Sequence, residues 1–314
     1  MANIFAMKKS QKDIVSNNEK VIQLPKIVDE RGNLSFIEGL NHIPFAIERA
    51  YWIYDVPGGE YRGAHAFREQ EEFIVALSGS FDVILHDGKE ERKYQLNRSY
   101  LGIYVPRMMW RRMENFSTNS LCLVLSSTRY NEADYIRDFD EFIFLAGRKN
   151  SFSQQEKKHS LLNSCNPFVL HPIDSFRTNR IDACLTKQLP KVHNRAGNLT
   201  AMNNMQEVSF AMHRVYYLYD IPCGEQRGGH AHRELEQLLI AVSGSFSVTL
   251  KDGYEQRTVF LNSPFQALYI GPGIWRTLEN FSSGAVCLVL ASHPYDETDY
   301  VREYDQFLEY KCLK

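Results

Sequence analysis

The chain has few cysteines and none in a useful pattern. Cys122, Cys165, Cys184, Cys223, Cys287 and Cys312 are its six in 314 residues, with no CxxC and no framework spacing, which argues against a disulfide scaffold and for reduced, mostly buried thiols. A basic tract is also missing. The 36 Lys and Arg are interspersed among 38 Asp and Glu, giving a formal charge of −2, so nothing resembles the footprint of a nucleic-acid or anionic-membrane binder. No apolar run approaches the roughly 18 residues of a membrane span. The opening MANIFAMKKSQKDIVSNNEK has no continuous apolar h-region. A cytoplasmic protein with neither nucleic-acid nor membrane partners is expected. Helical periodicity is scarce too, being confined to the tail DETDYVREYDQFLEY.

What the chain does have is a repeat. Shifted by 165 positions, Gln23 to Phe142 matches Gln188 to Phe307 without a gap, and about half of the aligned positions are identical. RAYWIYDVPGGEYRG faces RVYYLYDIPCGEQRG, and ENFSTNSLCLVLSSTRYNEADYIRDFDEF faces ENFSSGAVCLVLASHPYDETDYVREYDQF. A unit of this length is a whole domain rather than a solenoid repeat. The expected organisation is an N-terminal extension (1–22), a first domain (23–145), a polar linker (146–187) and a second domain (188–314). Within each copy, short segments such as RVYYLYDI, QLLIAVSGSFSVTL and AVCLVLAS alternate with the turns PCGE, KDG, NSP and GPG. That rhythm predicts an all-β sandwich or barrel, closed by a short C-terminal helix.

The second copy carries RGGHAH, SGSFSVTLKDG, LYIGPGIW and YDETDYVREYDQF. These resemble the two motifs of a cupin, a double-stranded β-helix of jelly-roll type. More closely, they resemble the dTDP-sugar 3,4-ketoisomerase family, also called WxcM-like, over nearly all of both repeats. The resemblance implies two tandem cupin domains and conversion of a dTDP-linked 4-keto-6-deoxy sugar to its 3-keto isomer through an enediolate. The relatives generally act as dimers. A fused pair therefore implies an intrachain pseudo-dimer, with further homodimerisation open.

Metal-binding cupins use two histidines, a glutamate and a third histidine. Here Gln237 and Arg276 fall at the last two positions; an amide binds metal weakly and a guanidinium repels it. Glu236 would serve only in a shifted register. No metal and no cofactor are expected, and the histidines read as proton-transfer groups. His232 is assigned as the base, with His230 and Tyr217 or Tyr219 as helpers. Arg227, Arg276, Arg214, Trp275 and Gln237 are candidate substrate contacts. A non-catalytic sugar-nucleotide-binding cupin and a nucleotide-sugar epimerase are the competing readings.

The first copy departs from this pattern. Its counterparts are Arg62, His65, Phe67 and Arg111, with Trp52 opposite Tyr217 and Tyr54 opposite Tyr219. A phenyl ring carries no proton, so the first repeat is expected to be inactive. The second copy has its own departure: Ala196 stands where the first has Arg31, so its site is either altered there or borrows Arg31 from the other repeat.

Overall fold

The computed structural model describes residues 18–152 and 180–312. Most of the expected N-terminal extension and linker, with Cys165, lies outside the described residues. Each of two jelly-roll barrels of the cupin type is built from a seven-stranded and a five-stranded antiparallel sheet, and each repeat ends in a helix, Phe139–Phe152 or Tyr304–Cys312. Described elements extend a little beyond the expected domain limits. Lys20–Gln23 already pairs with Leu101–Val105, and Ile181 and Cys184 are buried in the second barrel. Among the described cysteines, Cys122, Cys184 and Cys287 are buried free thiols, and Cys223 and Cys312 are exposed.

The repeats are not two separate barrels. The hairpin of strands Lys26–Asp29 and Gly32–Glu38 leaves its own repeat and pairs with Arg214–Tyr219 of the other, from Asn33 opposite Tyr219 to Glu38 opposite Arg214. The second repeat returns the exchange: Lys191–Asn194 and Gly197–Asn203 extend the first barrel's sheet through Arg49–Tyr54. The symmetry extends to single bonds. Asn33 donates to Asp220 and Asn198 to Asp55, each at 2.8 Å. Gly32 (φ +108°) sits where a Cβ would come within 2.9 Å of the Ile221 backbone, so only glycine allows the hairpin to cross so closely.

Strand alternation divides the side chains between two environments. Along Arg214–Tyr219, Val215, Tyr217 and Tyr219 face a core shared by the two large sheets, together with Trp52, Tyr54, Leu123 and Leu288. Tyr216 and Leu218 face the interior of the second barrel, with Leu239, Val248, Cys287 and Val289. Full burial of each such apolar side chain stabilises the fold by roughly 1.5–3 kcal/mol. Because the shared core draws on both repeats, removing one repeat exposes the other.

Candidate active site

The second barrel's site begins with a bulge. On Arg227–His232, Arg227 lies opposite Leu278 but His230 opposite Arg276, so three residues span what two span on the partner strand. Gly228 takes φ +81° there. The extra residue turns Arg227, His230 and His232 to one face, a usual service of bulges beside active sites. From the facing sheet come Arg214, Tyr216 and Gln237, all toward the same end of the barrel.

The segment DETDY supplies the rest. It is not the start of the C-terminal helix, as its carboxylates and spacing predict, but a 3-10 turn (Glu297–Asp299) and a two-residue strand (Tyr300–Val301); the helix begins at Tyr304. That irregular geometry places Tyr300 directly opposite His232. It also puts the Asp299 carboxylate 2.8 Å from His232 Nδ1. Asp299 is itself held by the Glu234 amide at 2.7 Å. Burial alone would raise its carboxyl, yet the bonds from His232 and Glu234 hold it below the ordinary range.

His232 is 3% exposed. With Nδ1–H committed to Asp299, its Nε2 keeps a lone pair, directed at Arg276 Nη2 (3.2 Å) and near Gln237 Nε2 (3.5 Å). Burial, then the Arg276 charge, push its pKa down to about 3 against the opposing pull of Asp299. His230 is held neutral for the same reasons, burial first and Arg276 second. Its ring lies 4.8 Å from that of Tyr300, and the His232 ring 4.3 Å from it. Gln237 donates to Tyr216 Oη at 2.9 Å. Arg214 is stacked between Tyr216 and Tyr295, 5.4 and 5.6 Å from their ring centres.

Buried polar atoms without a partner among the described residues gather here: His230 Nε2, Gln237 Oε1, Arg214 Nε and Arg276 Nε. Proteins rarely leave such groups unsatisfied, so the cluster suits a polar ligand. It does not suit a divalent metal. A guanidinium occupies the approach to His232 Nε2, and among the described residues no three His, Cys, Asp or Glu side chains converge. A cavity of about 490 Å³ lined by Arg233, His293, Tyr295 and Asp299 adjoins the site.

Three sequence-based assignments need correction. Tyr217 is fully buried in the shared core, its hydroxyl donating to the Ser99 carbonyl of the other repeat. Tyr219 bonds Ser35 Oγ at 3.1 Å on that same face. Strand parity excludes both from the barrel interior and selects Tyr216. Trp275 also points away: as neighbour of the inward Arg276, it packs on Tyr304 and Phe307 of the terminal helix. Asp299 and Tyr300, missed on the expectation that their segment belongs to the closing C-terminal helix, do have a sequence signal. Both recur in the first copy as Asp134 and Tyr135.

The exchanged hairpin reaches the same end. Asp29 accepts from Arg227 Nη1 at 2.8 Å and from Arg31 Nη2 at 2.9 Å, joining the two repeats at the start of the histidine strand. In the first barrel the corresponding bond runs from Arg62 to Asn194 at 3.0 Å. The exchange thus sorts the departures. Phe67 of repeat one and Asn194 and Ala196 of repeat two all serve the first barrel, while His232, Asp29 and Arg31 all serve the second. Beside Phe67, Asp134 spends its two oxygens on the amides of Glu69 and Gln70.

The family model described as WxcM-like, C-terminal (FdtA) matches the chain twice, at residues 17–147 and 182–312. A TDP-4-oxo-6-deoxy-alpha-D-glucose-3,4-oxoisomerase of Aneurinibacillus thermoaerophilus is 44% identical over 120 residues, covering 38% of this chain and 86% of the relative. Among solved structures, a variant of the 3,4-ketoisomerase QdtA from Thermoanaerobacterium thermosaccharolyticum, in complex with TDP-4-keto-6-deoxyglucose, is 36% identical, covering 42% of this chain and 95% of that one with a TM-score of 0.41. The WlaRB TDP-quinovose 3,4-ketoisomerase from Campylobacter jejuni is 45% identical, covering 40% of this chain and 97% of that one with a TM-score of 0.39.

Proposed function

The chain belongs to the WxcM-like, C-terminal (FdtA) family across both repeats, and on that premise we propose that it isomerises a TDP-linked 4-keto-6-deoxyhexose to the 3-keto sugar, without metal, in the second barrel alone. One observation carries the reading: His232 is held by Asp299 in the tautomer that presents a basic Nε2, directly beside the Arg276 cation.

In this mechanism Nε2 takes the proton from C3, which the adjacent C4 carbonyl acidifies. The electron pair becomes a C3=C4 double bond and negative charge moves to the C4 oxygen, where Arg276 offsets it. The hydroxyl proton on O3 passes to O4 through His230 or Tyr300, and His232, its Nε2 proton having exchanged with solvent, protonates C4, leaving the carbonyl at C3. A base with a pKa near 3 is weak by itself. The developing oxyanion cancels the Arg276 charge that depresses it, so basicity rises as the reaction proceeds. Arg227, braced by Asp29, suits the diphosphate. The first barrel has no histidine at Phe67 and is a scaffold in this reading.

The test is incubation with TDP-4-keto-6-deoxyglucose in deuterated buffer, following the product by NMR. A 3-keto product carrying deuterium at C4 is expected from the wild type. His232→Ala should abolish it, and Asp299→Asn should lower the rate by about 10²–10⁴-fold, the range for mis-set general-base tautomers. Full activity in His232→Ala sinks the assignment. Binding without exchange indicates a non-catalytic cupin, and exchange without carbonyl migration an epimerase.

A further inference from the structure

The two barrels hold the same arginine in different states. In the first, Arg111 donates through Nε and Nη2 to both oxygens of Glu72 (2.5 and 3.0 Å), through Nη2 to Tyr51 Oη (2.8 Å), and through Nη1 to the Gly63 carbonyl (3.3 Å). Glu72 also accepts from Tyr51 Oη at 2.6 Å and Gln70 Nε2 at 2.9 Å. The guanidinium is matched in charge and in every nitrogen, and both partners are buried. In the second barrel Gln237 replaces the carboxylate. Among the described residues, Arg276 there reaches only the His230 carbonyl and His232 Nε2, each at 3.2 Å, and its Nε has no partner.

The difference is one of charge. A carboxylate at this place makes the bidentate, charge-assisted pair that a guanidinium prefers, and with Nε, Nη1 and Nη2 of Arg111 all bonded no nitrogen is left to face a further anion. An amide of the same shape leaves the positive charge uncompensated in a buried pocket, where it acts most strongly on a nearby oxyanion.

We propose that this position is the switch between a reactive and a structural arginine: Gln237 keeps Arg276 available to a negative oxygen of the substrate, and Glu72 has retired Arg111 independently of the missing histidine at Phe67. The inference rests on the function proposed above, in which a C4 oxyanion forms beside His232. Gln237 is then a positioning residue whose essential property is neutrality, and the first barrel carries a second inactivating change that no loss of a proton-transfer group reveals.

The full chain with Gln237→Glu transplants the first barrel's residue into the second, and Gln237→Leu removes the amide without adding charge. Turnover is measured with TDP-4-keto-6-deoxyglucose, affinity with TDP, and folding by thermal denaturation. For Gln237→Glu, kcat should fall about a hundredfold or more, as for loss of an oxyanion donor, with TDP affinity unchanged and a thermal midpoint equal or higher. Gln237→Leu should keep kcat within about tenfold of the wild type. A folded Gln237→Glu enzyme with near-normal kcat overturns the proposal. So does a Gln237→Leu enzyme as impaired as that prediction for glutamate; this second arm decides the matter alone should the glutamate variant not fold. Parallel His232→Ala and Arg276→Leu variants separate the two layers. If both abolish turnover and Gln237→Glu does not, only this inference falls; if neither matters, the function itself was misassigned.

Discussion

Replacing His232 by phenylalanine, the residue the first barrel already uses, should make the protein more resistant to acid. His232 titrates near 3 in the fold against 6.5 for a free imidazole. Between those values the unfolded chain binds a proton that the folded chain refuses, so stability falls as the pH falls. Integrating the two titrations from pH 8 to pH 5 gives a loss of ~2 kcal/mol attributable to this one side chain. The phenyl ring is sterically acceptable, since Phe67 packs at 4.8 Å on His65 and 4.6 Å on Tyr135 in the equivalent pocket. Asp299 keeps the Glu234 amide, and the Leu235 amide corresponds to the one that Asp134 uses on Gln70. His230 and His65 are also held neutral by burial, but they are present in both proteins and cancel in the comparison. Urea unfolding at the two pH values is the assay. The wild type should lose about 2 kcal/mol more than the variant over this interval. Equal losses would mean that His232 is not held neutral in the fold, and the basic Nε2 on which the mechanism depends would go with it.

Two further outcomes follow from the placement of side chains. Tyr216→Phe should lower kcat by up to about tenfold, whereas Tyr217→Phe should leave kcat intact and cost about 1 kcal/mol of stability, the usual worth of a lost hydrogen bond; kinetics and denaturation on both variants check the corrected assignment. The second repeat expressed alone, residues 180–314, exposes the edge of Arg214–Tyr219 and the apolar face bearing Tyr217, so it should self-associate by exchanging its own 191–203 hairpin. Its site would then hold Asn194 and Ala196 in place of Asp29 and Arg31, and KM should rise about tenfold or more for loss of that charged anchor; a monomer with normal KM, by light scattering and steady-state kinetics, contradicts the exchange.

Much of the site was readable from residue type. The HxH strand, Gln237 and Arg276 mark the barrel interior because motif spacing along single strands survives folding unchanged. The tyrosine was misread because RVYYLYD offers aromatics on both faces, and both faces are buried, one in the barrel and one between the sheets. Hydrophobicity then carries no information about direction; only the inward Arg214 sets the parity. Asp299 was passed over because DETD has the composition of a helix start, and the bond that gives it a role comes from 67 residues away.

Local order was written in the sequence: the duplication, the β-strand rhythm, and the loss of a proton carrier at Phe67. These are properties of short segments or of the chain compared with itself. What the tertiary structure alone decided is which segments share a barrel. An antiparallel edge accepts a hairpin from either repeat with the same hydrogen bonds, and two near-identical hairpins present near-identical edges. The pairing observed buries the shared core and brings the hairpins into close crossings at Gly32 and Gly197. That pairing turns Ala196 from an apparent defect of the second site into a property of the first, and brings Asp29 and Arg31 to the barrel that retains His232.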